Sequence, residues 1–222
     1  MRIGIDVGGT HTDAVLIDGE RVLDSTKVAT TPDIATGLGC ALDQLVDREI
    51  GQSLQLLAIG TTQFTNAIVE RAGLSPVAAV RLCAPAGRGL VPRMGWSPDI
   101  AAATDGGAYV LSGGSLADGR PVSTVKSDEF DQLVGELMAS GTEQVAIAAS
   151  YAHLFPEVET TFADRLQRAM PGVSITQSHE LGGLGLVERE NAAILNAALR
   201  PLALQVCAGL ADIVKSKGIN CP

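Results

Sequence analysis

Residues 2–17 read Arg2-Ile3-Gly4-Ile5-Asp6-Val7-Gly8-Gly9-Thr10-His11-Thr12-Asp13-Ala14-Val15-Leu16-Ile17. An apolar run carries one acid, Asp6; two glycines and two threonines follow; then come a second acid, Asp13, and a second apolar run. The pattern predicts strand, tight turn, strand. Gly8 and Gly9 can take backbone angles closed to other residues, and bare N–H groups in such a turn form an anion-binding nest. Thr10 and Thr12 add hydroxyls, and Asp6 and Asp13 can hold a hydrated divalent cation. Two readings stand at this point: a phosphate-and-magnesium hairpin, or a Gly-Gly turn with Asp and Thr as ordinary turn-formers.

Composition narrows the setting. The 222 residues are 46% hydrophobic, 18% charged and 3% aromatic, an α/β type of usage rather than a disordered one. The net charge of −9 works against broad nucleic-acid or anionic-membrane binding, so an anionic ligand needs local donors. Cys40, Cys83, Cys207 and Cys221 form no C-x-x-C, which argues against a zinc site or disulfide framework. Cys40 and Cys207 fall among apolar helical positions and are expected to be buried thiols. There is no signal-peptide pattern and no unbroken apolar run near the ~20 residues of a membrane span. A reducing cytoplasm is the simplest compartment.

Along the chain, strands are expected at 3–7, 14–17 and 21–29, then a helix capped by Thr31 with Pro32 in its first turn. Ile34, Leu38, Ala41, Leu42, Leu45 and Val46 line one face of that helix. A strand at 54–59 leads through Gly60-Thr61-Thr62-Gln63-Phe64-Thr65-Asn66 into a helix at 67–71, whose start offers free N–H groups. Thr61 or Thr62 is its N-cap or a ligand contact. A strand at 76–82 precedes residues 84–108, where eight Pro and Gly residues break every period; this reads as a long lid or binding loop, packed down by Trp96. A strand at 109–111 and a hairpin around Gly113-Gly114-Ser115 and Asp118-Gly119-Arg120 come next. Ser127 is the expected cap of a helix ended by Gly141. A strand at 145–149, a helix opened by Pro156 and a strand at 173–176 imply parallel α/β crossovers. The last helix spans 186–217, kinked or split at Pro201. His153 follows the strand at 145–149, and His179 and Glu180 follow the next one. Each histidine is a base, a ligand or a structural residue. Serine-hydrolase elbow, Walker A and zincin motifs are absent.

Five ordered stretches carry a resemblance. Asp6-Val7-Gly8-Gly9-Thr10-His11-Thr12-Asp13 resembles the first phosphate hairpin of the actin/sugar-kinase/Hsp70 superfamily. Residues 60–71, GTTQFTNAIVER, resemble the G-T-T-x-x-T-N-A element of the hydantoinase/oxoprolinase family, A-type subunit. Gly113-Gly114 with Asp118-Gly119-Arg120 resembles that family's G-G-x…D-G-R hairpin. Residues 178–182, SHELG, and 188–197, ERENAAILNA, resemble its last two elements. His11 stands where Phe is usual, and Ile59 where His often precedes Gly-Thr-Thr. Strand alternation is expected to turn His11 away from Thr10 and Thr12.

The resemblance implies an α/β protein: a ribonuclease-H-like mixed sheet with N-terminal β-hairpins and flanking helices, an α/β extension and a long C-terminal helix. It implies an N-terminal α/β region at 1–180 (phosphate lobe 1–82, loop and hairpin insertion 83–126, α/β part 127–180) and, at 181–222, the helix that begins the next domain. Asp6 would hold Mg2+ or Mn2+ and, with Asp13, serve the chemistry. Gly8, Gly9, Thr10, Thr12, Thr61 and Thr62 would bind ATP. Asn66, His153, His179, Arg189 and Asn191 would face substrate or another lobe; the alternative for the Glu188–Asn191 segment is acidic residues matched to a helix dipole. The implied activity is ATP-dependent opening of a cyclic amide such as a hydantoin or 5-oxoproline, with a B-type subunit as partner and no nucleic acid or membrane. Two alternatives remain, a ketone carboxylase subunit and a non-enzymatic ATP-binding lobe. Family subunits continue well past residue 222, so the chain is expected to be truncated, to bind nucleotide weakly alone and to be inactive by itself; the apolar stripe of its last helix makes a homo-oligomer the expected outcome of light scattering.

Overall fold

The computed structural model describes residues 1–30, 34–46, 53–219 and 221. Thr31 and Pro32, the expected helix start, lie outside them. The described chain forms two compact units, 1–72 with 202–222, and 73–201.

In the first unit, β1 (Arg2–Val7) and β2 (His11–Asp18) form the expected hairpin, and β3 (Arg21–Ala29) adds antiparallel to β2. β4 (Leu56–Thr61) lies parallel to β1, giving the order β3-β2-β1-β4. Alternation sends Ile3, Ile5, Val7, Ala14 and Leu16 inward. There they meet Leu38, Ala41, Leu42 and Leu45 of α1 (Ile34–Leu45), with Leu54 and Ile219. The opposite face of β1 and β2 carries Asp6 and Asp13, both exposed. The helix after β4, α2, spans Gln63–Glu70, a turn longer at its start than the apolar spacing predicts.

The second unit holds a separate, all-parallel sheet, so the mixed sheet is confined to the first unit. Its strands are β5 (Val77–Ala84), β6 (Asp105–Ser112), β7 (Gln144–Ala149) and β8 (Ser174–Gln177), in the order β6-β5-β7-β8. β5 and β7 are buried at every position, as central parallel strands covered on both faces must be. One face packs on α4 (Ser127–Ala139) and α5 (Glu157–Ala169) through Phe130, Leu133, Leu137, Phe162 and Leu166. The other packs on Ala193, Ile194, Ala197 and Ala198 of α6 (Leu186–Ser216), with Trp96 against the same cluster, as expected.

Several expectations need correction. Residues 84–108 are not one long loop: they hold a 3-10 turn at Ala86–Gly89, the helix α3 (Pro98–Ala103) and the first residues of β6. The glycines that hid this strand serve it, because a Cβ on Gly106 would lie 2.7 Å from the Val77 carbonyl carbon. Ser127 is the first residue of α4 and makes no capping bond. Gly141 does end α4, in the left-handed region at φ 67°. Pro201 does not split α6, which is assigned unbroken across it. Cys40 and Cys207 are exposed and only Cys83 is buried. Cys40 sits two residues from both Leu38 and Leu42, which turns it off their face of the helix. By length and composition α6 also passes for a membrane span, with a window of mean hydropathy 1.5. Asn196 and Arg200 interrupt the apolar run within it.

Candidate functional site

Asp6 and Asp13 are direct cross-strand partners on the open face of the first unit's sheet. Side chains at such a pair stand about 5 Å apart at Cβ, and two like charges there repel. The conflict is relieved from β3: Lys27 is the cross-strand partner of Asp13 and its Nζ lies 2.9 Å from Oδ1. Asp6 is left with no hydrogen-bond or ion-pair partner among the described residues.

The floor beside Asp6 is kept clear. Gly4, Ala58 and Gly60 share that face, and a Cβ on Gly60, the β4 neighbour of Asp6, would lie 3.7 Å from Asp6 Oδ1. The result is an open depression of about 740 Å³ whose lining includes Asp6, Asp13, Lys27, Ala58 and Gly60. Among the described residues no three His, Cys, Asp or Glu side chains gather as a metal cage. A cation here must take most of its ligands from water and phosphate oxygen. That suits Mg2+, which keeps several waters, and not a structural zinc ion.

The turn at the end of β1 is held from beneath. Gly8 N–H donates to the His11 carbonyl at 3.0 Å, Thr30 Oγ1 donates to the Gly8 carbonyl at 2.9 Å, and Thr30 N–H donates to the Thr10 carbonyl at 2.9 Å. No described carbonyl takes the Gly9 or Thr10 N–H. These two donors and the Thr10 hydroxyl are what the turn offers an anion. The glycines matter here for space and not for backbone angle, since neither has positive φ. A Cβ on Gly8 would lie 3.1 Å from the His11 carbonyl oxygen, and one on Gly9 3.6 Å from Asn66 Nδ2.

That last contact joins two distant sequence elements. β4 runs beside β1 with Gly60 opposite Asp6 and Thr61 opposite Val7, so α2 starts beside the turn. Thr62 holds the N-cap position but makes no capping bond, and it is exposed. Thr61 Oγ1 accepts the Gln63 N–H at 3.2 Å. Asp6, Asp13, Gly8, Gly9, Thr10, Thr62 and Asn66 therefore lie along one edge of the first unit, while Thr61, the β4 partner of Val7, faces the opposite side of the sheet from Asp6.

Thr12 does not join them. It faces the core, fully buried, with its hydroxyl 3.2 Å from Thr30 Oγ1; as the partner of Val7 it lies on the side opposite Asp13. It supports the turn from within. His11 is exposed and its Nδ1 lies 3.2 Å from Thr10 Oγ1, so it is not turned away from Thr10. Lys27 and Thr30 went unseen in the sequence, which carries no local sign of either.

His153, His179 and Arg189 belong to a second cluster, at the carboxyl ends of β7 and β8 in the other unit. Its centre is Glu159, fully buried on α5. Glu159 Oε1 accepts from Ala149 N–H at 2.7 Å and Ser178 Oγ at 2.6 Å; Oε2 accepts from His179 N–H at 3.0 Å and stands 2.8 Å from His179 Nδ1. Arg189, 2% exposed, donates Nη2 to the Ala149 carbonyl at 2.7 Å and Nη1 to the Gly183 carbonyl at 3.0 Å. Burial lowers its pKa, opposed by the charges of Glu159 and Glu188. Glu190 pairs with Arg81 in the interior, which rules out the dipole-matching role for it. Asn191 lies apart, donating Nδ2 to the Met94 carbonyl at 3.0 Å.

The family model for the hydantoinase/oxoprolinase N-terminal region matches residues 2–170. The alpha subunit of caprolactamase from Pseudomonas jessenii is 27% identical over 90% of this chain, which covers 31% of that protein. An uncharacterized protein, MJ0964, from Methanocaldococcus jannaschii is 23% identical over 99% of the chain, covering 34% of it. The chain thus spans about a third of the length of these relatives. Two solved structures share the fold at TM-score 0.74: ATP-dependent caprolactamase from Pseudomonas jessenii (21% identity, 100% of this chain, 35% of that one) and nucleotide-free acetone carboxylase (20% identity, 98% and 34%).

Proposed function

The chain belongs to the hydantoinase/oxoprolinase family through its N-terminal region, and on that premise we propose that it is the nucleotide-phosphate part of an ATP-dependent enzyme that opens a small cyclic amide. The observation that carries this is the convergence of an unpaired Asp6, the free N–H groups of Gly9 and Thr10 and the start of α2 around a cleared floor. Asp6 would hold Mg2+ or Mn2+ through water, with Asp13, neutralised by Lys27, flanking it. Gly8, Gly9 and Thr10 would seat phosphate oxygens, and Thr61, Thr62 and Asn66 would border them. When bound, ATP supplies a phosphoryl group that makes a ring-amide carbon electrophilic. The chain's own residues bind and orient the phosphates and keep the metal beside them.

Both solved neighbours include an enzyme that is ATP-dependent by its description, which supports nucleotide use. The sequence likeness to a caprolactamase subunit favours hydrolysis of a ring amide over ketone carboxylation, and a subunit name favours a partner chain of B type. The order β3-β2-β1-β4, two antiparallel pairings and then a parallel one, supports a ribonuclease-H-like first unit. The division at residue 180, a cytoplasmic setting and self-association belong to the same proposal; the four free cysteines favour a reducing compartment. The test is phosphate release by the whole protein with its partner subunit, with and without hydantoin, 5-oxoproline and caprolactam. Stimulation by one of them, lost in Asp6→Ala with unchanged circular dichroism, is the expected result. Turnover strictly dependent on bicarbonate, or unaffected by Asp6→Ala, overturns it.

A further inference from the structure

A cavity of about 400 Å³ lies wholly within the second unit. Its place follows from the topology. β5 and β7 are neighbours, yet their connections leave on opposite faces: the segment after β5 packs Trp96 on the α6 side, while β7 leads into α5 on the other. The carboxyl ends of such a strand pair part into a notch, where open α/β sheets collect ligands. Here the notch itself is stoppered. Ser150 N–H donates to the Leu82 carbonyl at 3.3 Å, and Ser115 N–H to the Ser150 carbonyl at 3.1 Å. A Cβ on Gly114 would lie 2.2 Å from Ser150 Oγ, so the turn fits only as glycine. The free space is left on the α5 flank of this stopper.

The volume suits a small organic molecule. Leu82, Val125, Val158 and Phe162 make the wall mostly apolar. One cation stands among them. Arg165 is half-buried, and its Cζ lies 3.7 Å from the centre of the Phe130 ring, over its face. Phe130 is fixed in turn: it is 4% exposed and meets Phe162 edge to face, with centroids 5.7 Å apart. The cation–π contact positions the guanidinium without using any of its N–H donors. Those donors have no acceptor among the described residues. A planar fork of free donors beside an apolar wall matches a carboxylate, which accepts two of them at once.

Glu157 sets the limit on charge. It lines the same cavity, exposed, eight positions before Arg165 on α5, and forms no ion pair with it. Eight helical residues place it about 12 Å along the axis. A ligand with one carboxylate can hold Arg165 and leave Glu157 to solvent. A second carboxylate at the far end of the ligand would meet a like charge.

We propose that this cavity binds a small organic monocarboxylate, with the carboxylate on Arg165 and the apolar body against Val158, Phe162 and Leu82. Phe130 is a positioning residue, since it acts through the guanidinium it carries. Neither ATP nor Asp6 takes part, and the proposal does not depend on the ring-amide reading.

The test uses the full chain with 15N-labelled arginine and no nucleotide. Hexanoate is the probe, 1-hexanol its neutral counterpart and adipate its doubly charged one. Hexanoate should shift the Nε–H resonance that disappears in Arg165→Met. By isothermal titration it should bind at least about tenfold more tightly than either 1-hexanol or adipate, as hydrogen bonds to a charged group exceed one tenfold step. Arg165→Met, which keeps an apolar stem over Phe130, should bring hexanoate down to the level of 1-hexanol. Glu157→Gln should narrow the gap between adipate and hexanoate. No shift of the Arg165 resonance at tens of millimolar hexanoate, equal binding of hexanoate with either counterpart, or hexanoate binding that survives Arg165→Met overturns the proposal. The ranking of the three compounds on the unaltered chain decides the matter even if a variant does not fold. Failure here leaves the phosphate face standing, and failure of ATP turnover leaves this result standing.

Discussion

Glu190→Gln should be the most damaging conservative change in the second unit. Odd-numbered residues of β5 face α6, and at Arg81 that face meets Glu190. Arg81 is 0% exposed and Glu190 1%. Nε donates to Oε1 at 2.8 Å, Nη2 donates to Oε2, and Nη1 reaches the Leu90 carbonyl. Burial works against the Arg81 charge, but the Glu190 hydrogen bonds and charge outweigh it, and its pKa stands above the ordinary value. Removing one charge of such a pair leaves the other buried without compensation, at about 3–5 kcal/mol. With a urea m-value of about 2 kcal/mol/M, that lowers the midpoint by roughly 1.5–2.5 M. The assay is urea unfolding followed by fluorescence of Trp96, the single tryptophan, which packs on the same α6 cluster. The double variant Arg81→Met, Glu190→Leu should recover most of the loss, because a hydrophobic replacement of similar volume removes the desolvation penalty with the pair. A loss below about 1 kcal/mol in Glu190→Gln, or a double variant as weak as the single one, refutes the reasoning.

Four further outcomes are expected. Gly60→Val should fill the floor beside Asp6 and weaken Mg-ATP binding at least about tenfold by isothermal titration, while the melting temperature moves by no more than about 4 °C, because the position is exposed and in a strand. Thr30→Val removes the hydroxyl that holds the Gly8 carbonyl and should cost about 1 kcal/mol in urea unfolding while also weakening nucleotide binding; a stability loss with unchanged binding would detach Thr30 from the turn's function. Burial pushes the Cys83 thiol above its ordinary pKa, with Arg81 pulling the other way. The folded state therefore keeps its proton longer than the unfolded chain. Its stability contribution is intact below the ordinary thiol range and falls as pH rises through it, so the urea midpoint should decline from pH 7 to alkaline pH, less so in Cys83→Ala. In the native protein Cys40 and Cys207 should react with a thiol reagent at once and Cys83 should not.

The first hairpin and the parallel pairing of β7 with β8 were legible because they follow from period and turn chemistry, whereas the meeting of Asp6 with the Gly60–Thr62 segment was legible only through the family resemblance. β6 was not, since Gly106 and Gly107 look like loop residues until the close approach of Val77 is seen. Thr12 was misassigned because a turn motif read as a string of donors ignores the two-residue alternation that sends it inward with Val7. Lys27 was hidden by a register shift. The tight turn after Asp18 pairs Ile17 with Val22 and would set Thr26 opposite Asp13, but an irregularity between Leu16 and Ile17 advances the pairing by one and brings Lys27 there. Glu159 and Ser178 could not be linked to His179 from sequence, because the link is made by α5 packing on β7 and β8.

That irregularity has a consequence for how the hairpin can change. Leu23 is the spare residue, since Val22 pairs with Ile17 and Asp24 with Leu16. It acts as slack in a rope: the loop at Gly19 and the face at Asp13 are moored separately, on either side of it. Residues gained or lost at the loop end can be taken up there before they reach the acids. The charge balance of Asp6, Asp13 and Lys27 is thereby insulated from the part of the hairpin most open to insertion.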